Sequence, residues 1–282
     1  MNAPPPIPAK PLPATRPRPW LGFVLDGLIA IVVLIATVLI GTMAWGFFAA
    51  VRIGMHDPQA AADPNALTRA LGEPPVVMMM LVSSLGMLLA ALVVYLWRRR
   101  ATPAERSASR AAATQPRTWI EAIGLGIALS IGSALLMSAL EQAGHTPNPT
   151  NLEFLEAILA YSPALLVLVA VVIAPISEEL LFRRCLFGRL WAAGKPGAGM
   201  IASSLLFAFS HEVPGTTDSP WAMTLVLLLF YTAMGASLAW IYRRTGTLWA
   251  PIATHATNNL IGCAMMIAQY GSSTTGGALT YR

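Results

Sequence analysis

Charge is scarce in this chain. Of its 282 residues only 11% are Asp, Glu, Lys or Arg, while 56% are hydrophobic; a soluble domain averages about 25% charged and 45–50% apolar. Too few charges remain to coat the one or two soluble domains that the length would otherwise suggest, which excludes a soluble globular enzyme. Cysteine is scarce too. Cys185 and Cys263 each stand alone in or near an apolar run, so a secreted disulfide scaffold is excluded. The high apolar content excludes a disordered protein. What charge there is leans basic, with 18 Lys and Arg against 13 Asp and Glu. The basic residues lie between apolar runs, so the partner they imply is a lipid bilayer and not nucleic acid.

Uninterrupted apolar sequence is abundant. Gly27–Val51, Val76–Trp97, Trp119–Leu140, Pro163–Phe182, Trp221–Tyr242 and Leu248–Ala268 each reach the ~20 helical residues that cross a hydrocarbon core. Gly197–His211 has 15 residues, fewer than the usual ~17. It spans only by extending to Val213 or where the membrane thins. The expected fold is an all-α polytopic membrane helix bundle of about seven transmembrane helices, or eight. Alternating sides from a cytoplasmic N-terminus leaves only Arg52, Arg69 and Arg282 of the 18 basic residues outside. That bias sets the orientation, N-terminus in and C-terminus out.

The expected organisation follows. Residues 1–19 form a disordered, Pro-rich, basic cytoplasmic tail, residues 20–269 the helical transmembrane domain with its catalytic core at 163–269, and residues 270–282 a short external tail. The first apolar run is about twice a signal-peptide core, so it reads as a retained anchor. Residues 98–117 read as a basic, Ala-rich cytoplasmic linker. In Thr150–Ser162, Thr150 and Glu153 have capping-box spacing. There Leu152, Leu155, Ile158 and Leu159 share a helical face, which suggests a helix lying along the outer interface. No internal repeat of the inverted-half transporter kind is visible.

Ionisable residues inside spans are costly in hydrocarbon and mark functional sites. Asp26 and Glu121 lie close to a cytoplasmic boundary, where interfacial solvation accounts for them. Glu178, Glu179, His211 and His255 lie deeper, with Asn258 and Asn259 beside the last. Glu179 and Arg183 share a helical face at i,i+4 in the favourable acid-before-base order, which leaves Glu178, ~100° around the helix, without that partner. A desolvated carboxylate is displaced toward the range of a general base, although both acids could equally neutralise the Arg183–Arg184 cluster. Pro175 breaks the helix ladder one turn earlier and opens room for water. His211 follows Phe207 by one turn. His255 and Asn259 share a face after Pro251 and suit either a developing oxyanion or polar contact between helices. At 1.5 Å per residue, Glu178 lies about 7 Å inward of Arg183, His255 about 12 Å in and His211 near 20 Å. His211 therefore meets the others only if its helix starts late or tilts.

Glu178-Glu179-x-x-x-Arg183, Phe207-x-x-x-His211 and His255-x-x-x-Asn259, in that order on three spans, resemble the motifs of the CPBP family of intramembrane glutamic endopeptidases, the type II CAAX prenyl endopeptidase group. The stretch RRTGTLWAPIATHATNN is similar to that family's lead into its third motif. The resemblance covers about residues 163–269. It implies an all-α membrane fold with a water-filled cavity facing the cytoplasm, no metal or other cofactor, and hydrolysis of peptide bonds. By that resemblance Glu178 is the base, His211 its helper, His255 and Asn259 the oxyanion donors, with Glu179, Arg183 and Phe207 in support and Arg183 orienting Glu179. The implied partners are a membrane-associated peptide or protein substrate and the lipid bilayer. The composition looks bacterial, which places the protein in an inner membrane and makes a substrate other than a prenylated CAAX tail the expectation. Two alternatives stay open: a zinc-dependent membrane protease, although HExxH is absent and Arg183 opposes a cation, and a non-catalytic immunity or scaffolding protein of the same family.

Overall fold

The computed structural model describes residues 18–145, 149–216 and 220–276, with side chains as far as Tyr270. The expected N-terminal tail, apart from Arg18 and Pro19, and residues 277–282 of the expected external tail lie outside the described residues. Eleven helices follow in order: α1 (Pro19–His56), α2 (Pro58–Ala62), α3 (Pro64–Leu71), α4 (Val76–Arg98), α5 (Pro103–Ala113), α6 (Pro116–Gln142), α7 (Leu152–Tyr161), α8 (Pro163–Ala192), α9 (Pro196–His211), α10 (Trp221–Thr245) and α11 (Trp249–Gly276). Seven of them open on proline, whose fixed φ and missing N–H suit the first helical position. The proline-rich composition is therefore used to start helices.

The protein is an all-α membrane bundle. Among the described residues five helices, α1, α4, α6, α8 and α10, are long and apolar enough to cross a membrane. The short apolar run forms α9 and stops at His211 after 16 residues, so it does not extend to Val213. α11 continues past residue 269 to Gly276, beyond the boundary expected for the tail. α8 is the central helix: its Leu181, Phe182, Cys185 and Leu186 pack with Ala90 and Val94 of α4, Phe207 of α9 and Leu238 of α10. Small residues let the other helices close in, as membrane interfaces favour. A Cβ on Gly126 of α6 would stand 2.6 Å from the Thr254 carbonyl oxygen of α11, and one on Gly235 of α10 would stand 3.1 Å from the Ser204 Cα of α9.

One end of the bundle collects the basic residues, and three acids join its helices. Asp26 of α1 takes Arg98 of α4 and Arg189 of α8, the latter at 2.6 Å. Glu105 of α5 takes Arg184 of α8 at 3.0 Å. Glu121 of α6 takes Arg117 at 2.6 Å and Arg244 of α10 at 2.7 Å. Glu121 is partly solvated, as an interfacial residue should be. Asp26 is not: its side chain is fully buried, because two arginines from neighbouring helices replace the water expected around it.

Two further expectations change. Residues 98–117 are not a plain linker. Thr102 and Glu105 form a capping box that starts α5, and α5 docks through Glu105–Arg184 and a 2.9 Å Ser109–Thr247 hydrogen bond. The capping box expected at Thr150 and Glu153 is absent. α7 has Asn151 as its N-cap with no side-chain bond, because the Thr150 hydroxyl donates instead to Glu212. The apolar face of α7 is covered by protein, with Ile158 and Leu159 packed against Leu166, Ala170 and Cys263.

Candidate active site

α8 is not uniformly α-helical. Leu168–Ile173 and Glu179–Phe187 are π-helical, a rare geometry that gathers at functional sites. In the first π segment the Ala174 N–H bonds Val169 O, one residue further back than an α-helix allows. By the same register Ala170 O would need the N–H of residue 175, and Pro175 has none. The orphaned carbonyl accepts instead from Asn259 Nδ2 of α11 at 2.8 Å. Asn259 Oδ1 accepts from Asn258 Nδ2 at 3.1 Å, and Asn258 Oδ1 accepts from the Ser130 hydroxyl of α6 at 3.2 Å. A polar chain thus crosses from α6 through α11 to α8.

The two adjacent glutamates diverge. Glu179 is fully buried and serves two partners: its Oε2 lies 3.0 Å from Arg183 Nε, and its Oε1 accepts from His255 Nδ1 at 2.9 Å. The His255 contact was not legible in the sequence. It ties α8 to α11 one turn before Asn259. Arg183 is fully buried as well, with its guanidinium carbon 4.4 Å from the centre of the Phe207 ring. Phe207 is the hub of this cluster, since its ring also packs on His211 at 4.3 Å and on His255 at 5.9 Å.

Glu178 faces His211, with Oε2 3.5 Å from Nε2, and both side chains are slightly exposed. The His211 tautomer follows from its other nitrogen. Nδ1 lies 2.9 Å from Phe207 O, and a carbonyl can only accept, so Nδ1 carries the hydrogen. In neutral His211 the Nε2 lone pair therefore faces a carboxylate oxygen that has no hydrogen-bond partner among the described residues. Two acceptors at this separation require a proton or a water between them.

The levels of these groups also fall into place. Arg183 and Arg184 suggested a membrane boundary, but α8 runs on to Ala192. Glu178 then lies about 21 Å from the basic end of α8, and His211 about 22 Å from the start of α9. The antiparallel neighbours are level because Arg183 is buried inside the bundle and does not mark its edge.

Two residues at the site carried no motif. Tyr231 of α10 packs its ring 4.9 Å from that of His211. Glu212, directly after His211, is fully buried and accepts from both the Thr150 N–H and hydroxyl at 3.1 Å. Adjacency to the second-motif histidine is the only sequence signal for Glu212.

A polytopic helical membrane protein with Glu–His and Glu–His–Arg groupings from three helices is thereby defined. The family model described as Type II CAAX prenyl endopeptidase Rce1-like matches residues 160–261, the segment that carries every one of the three motifs. A curated protein of Bacillus subtilis (strain 168), "Putative membrane peptidase YdiL", is 32% identical over 103 residues, which is 36% of this chain and 38% of that protein. The chain therefore aligns with little more than a third of that relative's length. No solved structure matches. Residues 160–261 are therefore similar to the type II CAAX prenyl endopeptidase Rce1-like family.

Proposed function

We propose that this integral membrane protein is an intramembrane endopeptidase that hydrolyses peptide bonds of a membrane-associated peptide or protein. The observation that carries the reading is the 3.5 Å approach of Glu178 Oε2 and His211 Nε2 with lone pairs facing. A water between them donates one O–H to each, which raises the electron density on its oxygen. As that oxygen attacks the scissile carbonyl carbon, its proton passes to Glu178, the general base. The tetrahedral oxyanion is met by His255 and Asn259. Asn259 has one amide N–H committed to Ala170 O and the other to offer. His255 Nδ1–H is committed to Glu179, which leaves Nε2, when it carries a hydrogen, as the ring nitrogen that can donate. When the C–N bond breaks, the proton held by Glu178 and His211 moves to the leaving amine.

A zinc centre needs three converging protein donors and an open position. His255 is drawn away by Glu179, which leaves Glu178 and His211 as a two-donor set. The basic end is assigned to the cytoplasm and the membrane to a bacterial inner membrane. The decisive experiment compares membrane peptides from cells carrying the wild type or Glu178→Ala. Peptides that persist only in the variant support the protease, and cleavage that a chelator abolishes and zinc restores makes it a metalloprotease. Identical peptide profiles, with an immunity phenotype retained by Glu178→Ala, indicate a non-catalytic scaffold.

A further inference from the structure

A cavity of about 870 Å³ opens at the basic end of the bundle, and none of Glu178, Glu179, Arg183, Phe207, His211, His255 and Asn259 lines it. Its interior is mostly apolar, walled by Ile176 and Leu180 of α8 and Ile252 of α11, and the Glu105–Arg184 ion pair also lines it. Ile176 and Trp249, at 38% and 50% exposure, form an edge that faces lipid.

Its rim is cationic. Arg106 and Arg110, exposed and one turn apart on α5, line it. The three acids at this end are already taken by Arg98, Arg189, Arg184, Arg117 and Arg244. Neither Arg106 nor Arg110 has a carboxylate partner among the described residues. Arg99 stands behind Gly188, a lining residue, with its Nη2 3.9 Å from where a Cβ on that glycine would lie. Its Nε and Nη2 are buried without an acceptor among the described residues. Burial, with Arg189 and Arg184 close by, pulls its guanidinium down to about 10. An apolar pocket open to lipid, with uncompensated cations at its mouth, fits a ligand with hydrocarbon tails and an anionic head.

We propose that this cavity binds an anionic phospholipid from the adjacent leaflet, with its phosphate on Arg106 and Arg110 and its acyl chains along Ile176, Leu180 and Ile252. Attraction of two arginines to one anionic headgroup corresponds to a preference of roughly 30-fold over a zwitterionic lipid. The proposal is independent of the protease reading, because none of the proposed catalytic side chains takes part.

The test is lipid binding to the full-length protein in detergent, read as bound-lipid mass and thermal stabilisation. Phosphatidylglycerol is expected to be retained roughly 30-fold over phosphatidylcholine and to raise Tm, while glycerol 3-phosphate, the headgroup without tails, has no effect. Arg106→Gln with Arg110→Gln abolishes the preference, and Arg243→Gln, which removes a charge at an exposed position elsewhere, preserves it. Equal retention of the two lipids, stabilisation by glycerol 3-phosphate alone, or equal loss in the Arg243 variant would overturn the site.

Discussion

His211 donates Nδ1–H to the carbonyl of its own helix at Phe207 and turns its Nε2 lone pair to Glu178. Intrahelical bonding thus sets the tautomer that the proposed water needs. Glu178→Gln keeps the side-chain volume but cannot take a proton, so peptide hydrolysis should fall by about 10²–10⁴ while the protein folds normally. His211→Ala should match it. The double variant should be no worse than either single, because both groups serve one water. Turnover of a cleaved membrane peptide by the purified variants checks this, and near-normal rates for Glu178→Gln would dismiss the assignment.

The Arg183–Glu179–His255 cluster is buried, so it is sensitive to losing one member. Arg183→Ala leaves Glu179 without its cation in a dry site, at a cost of roughly 3–5 kcal/mol. A lower Tm in detergent, together with lost activity, is expected. Arg183→Lys should recover part of the stability but not all, since lysine keeps the charge and lacks the planar group that lies on Phe207. A fully stable Arg183→Ala protein would remove this role.

These outcomes separate what was legible in the sequence from what was not. Apolar runs alone located the five helices long and apolar enough to cross a membrane, because span length is set by bilayer thickness; Gly197–His211 and Leu248–Ala268, also expected to span, are not among those five. The i,i+4 spacing alone paired Glu179 with Arg183. Depth is not legible at Arg183, since sequence cannot distinguish an arginine at an interface from one sealed against Phe207. The burial of Asp26 is illegible for a similar reason: its partners Arg98 and Arg189 are remote in the chain. The Asn259–Ala170 bond depends on a π register that moves one carbonyl opposite Pro175, and no local pattern announces that shift.

The bond makes a prediction of its own. Asn259→Ala removes one proposed oxyanion donor, for which losses on the order of 10²–10³ in turnover are typical, and it also strips Ala170 O of its partner, at about 1–3 kcal/mol. Asn259→Asp should be less stable than Asn259→Ala, because a carboxylate would face the carbonyl oxygen. Thermal unfolding of the two variants in one detergent gives the order. Greater stability for the Asp variant would mean that the Ala170 contact contributes nothing.

The orientation is open to a direct check. The ends of α4, α8 and α10 and the starts of α6 and α9 bring their basic residues to one end of the bundle, and such residues favour the cytoplasm. Reporter fusions after Arg110 should read cytoplasmic and those after Gly144 external. Opposite readings would invert the protein and place the cavity in the outer leaflet.

The last prediction concerns pH and α5. Burial pushes the Glu105 carboxyl upward, but hydrogen bonds from Arg184 and from the Thr102 N–H outweigh it and hold the group below the usual glutamate range. A carboxyl that titrates lower in the folded state binds fewer protons than in the unfolded chain, so its stabilising contribution is complete above the unfolded value of about 4.3. It disappears as pH falls through the folded value. Because Glu105 both caps α5 and anchors it to Arg184, α5 should leave the bundle in that acid window while the membrane helices stay assembled. Spin labels at Ser107 and Lys195 should report one narrow distance distribution at pH 7 that broadens only below about pH 4.3. Glu105→Ala should show the broad distribution already at pH 7, with no further change on acidification. A distance that stays narrow in the variant would mean that the Ser109–Thr247 hydrogen bond and apolar contacts hold α5 without the ion pair.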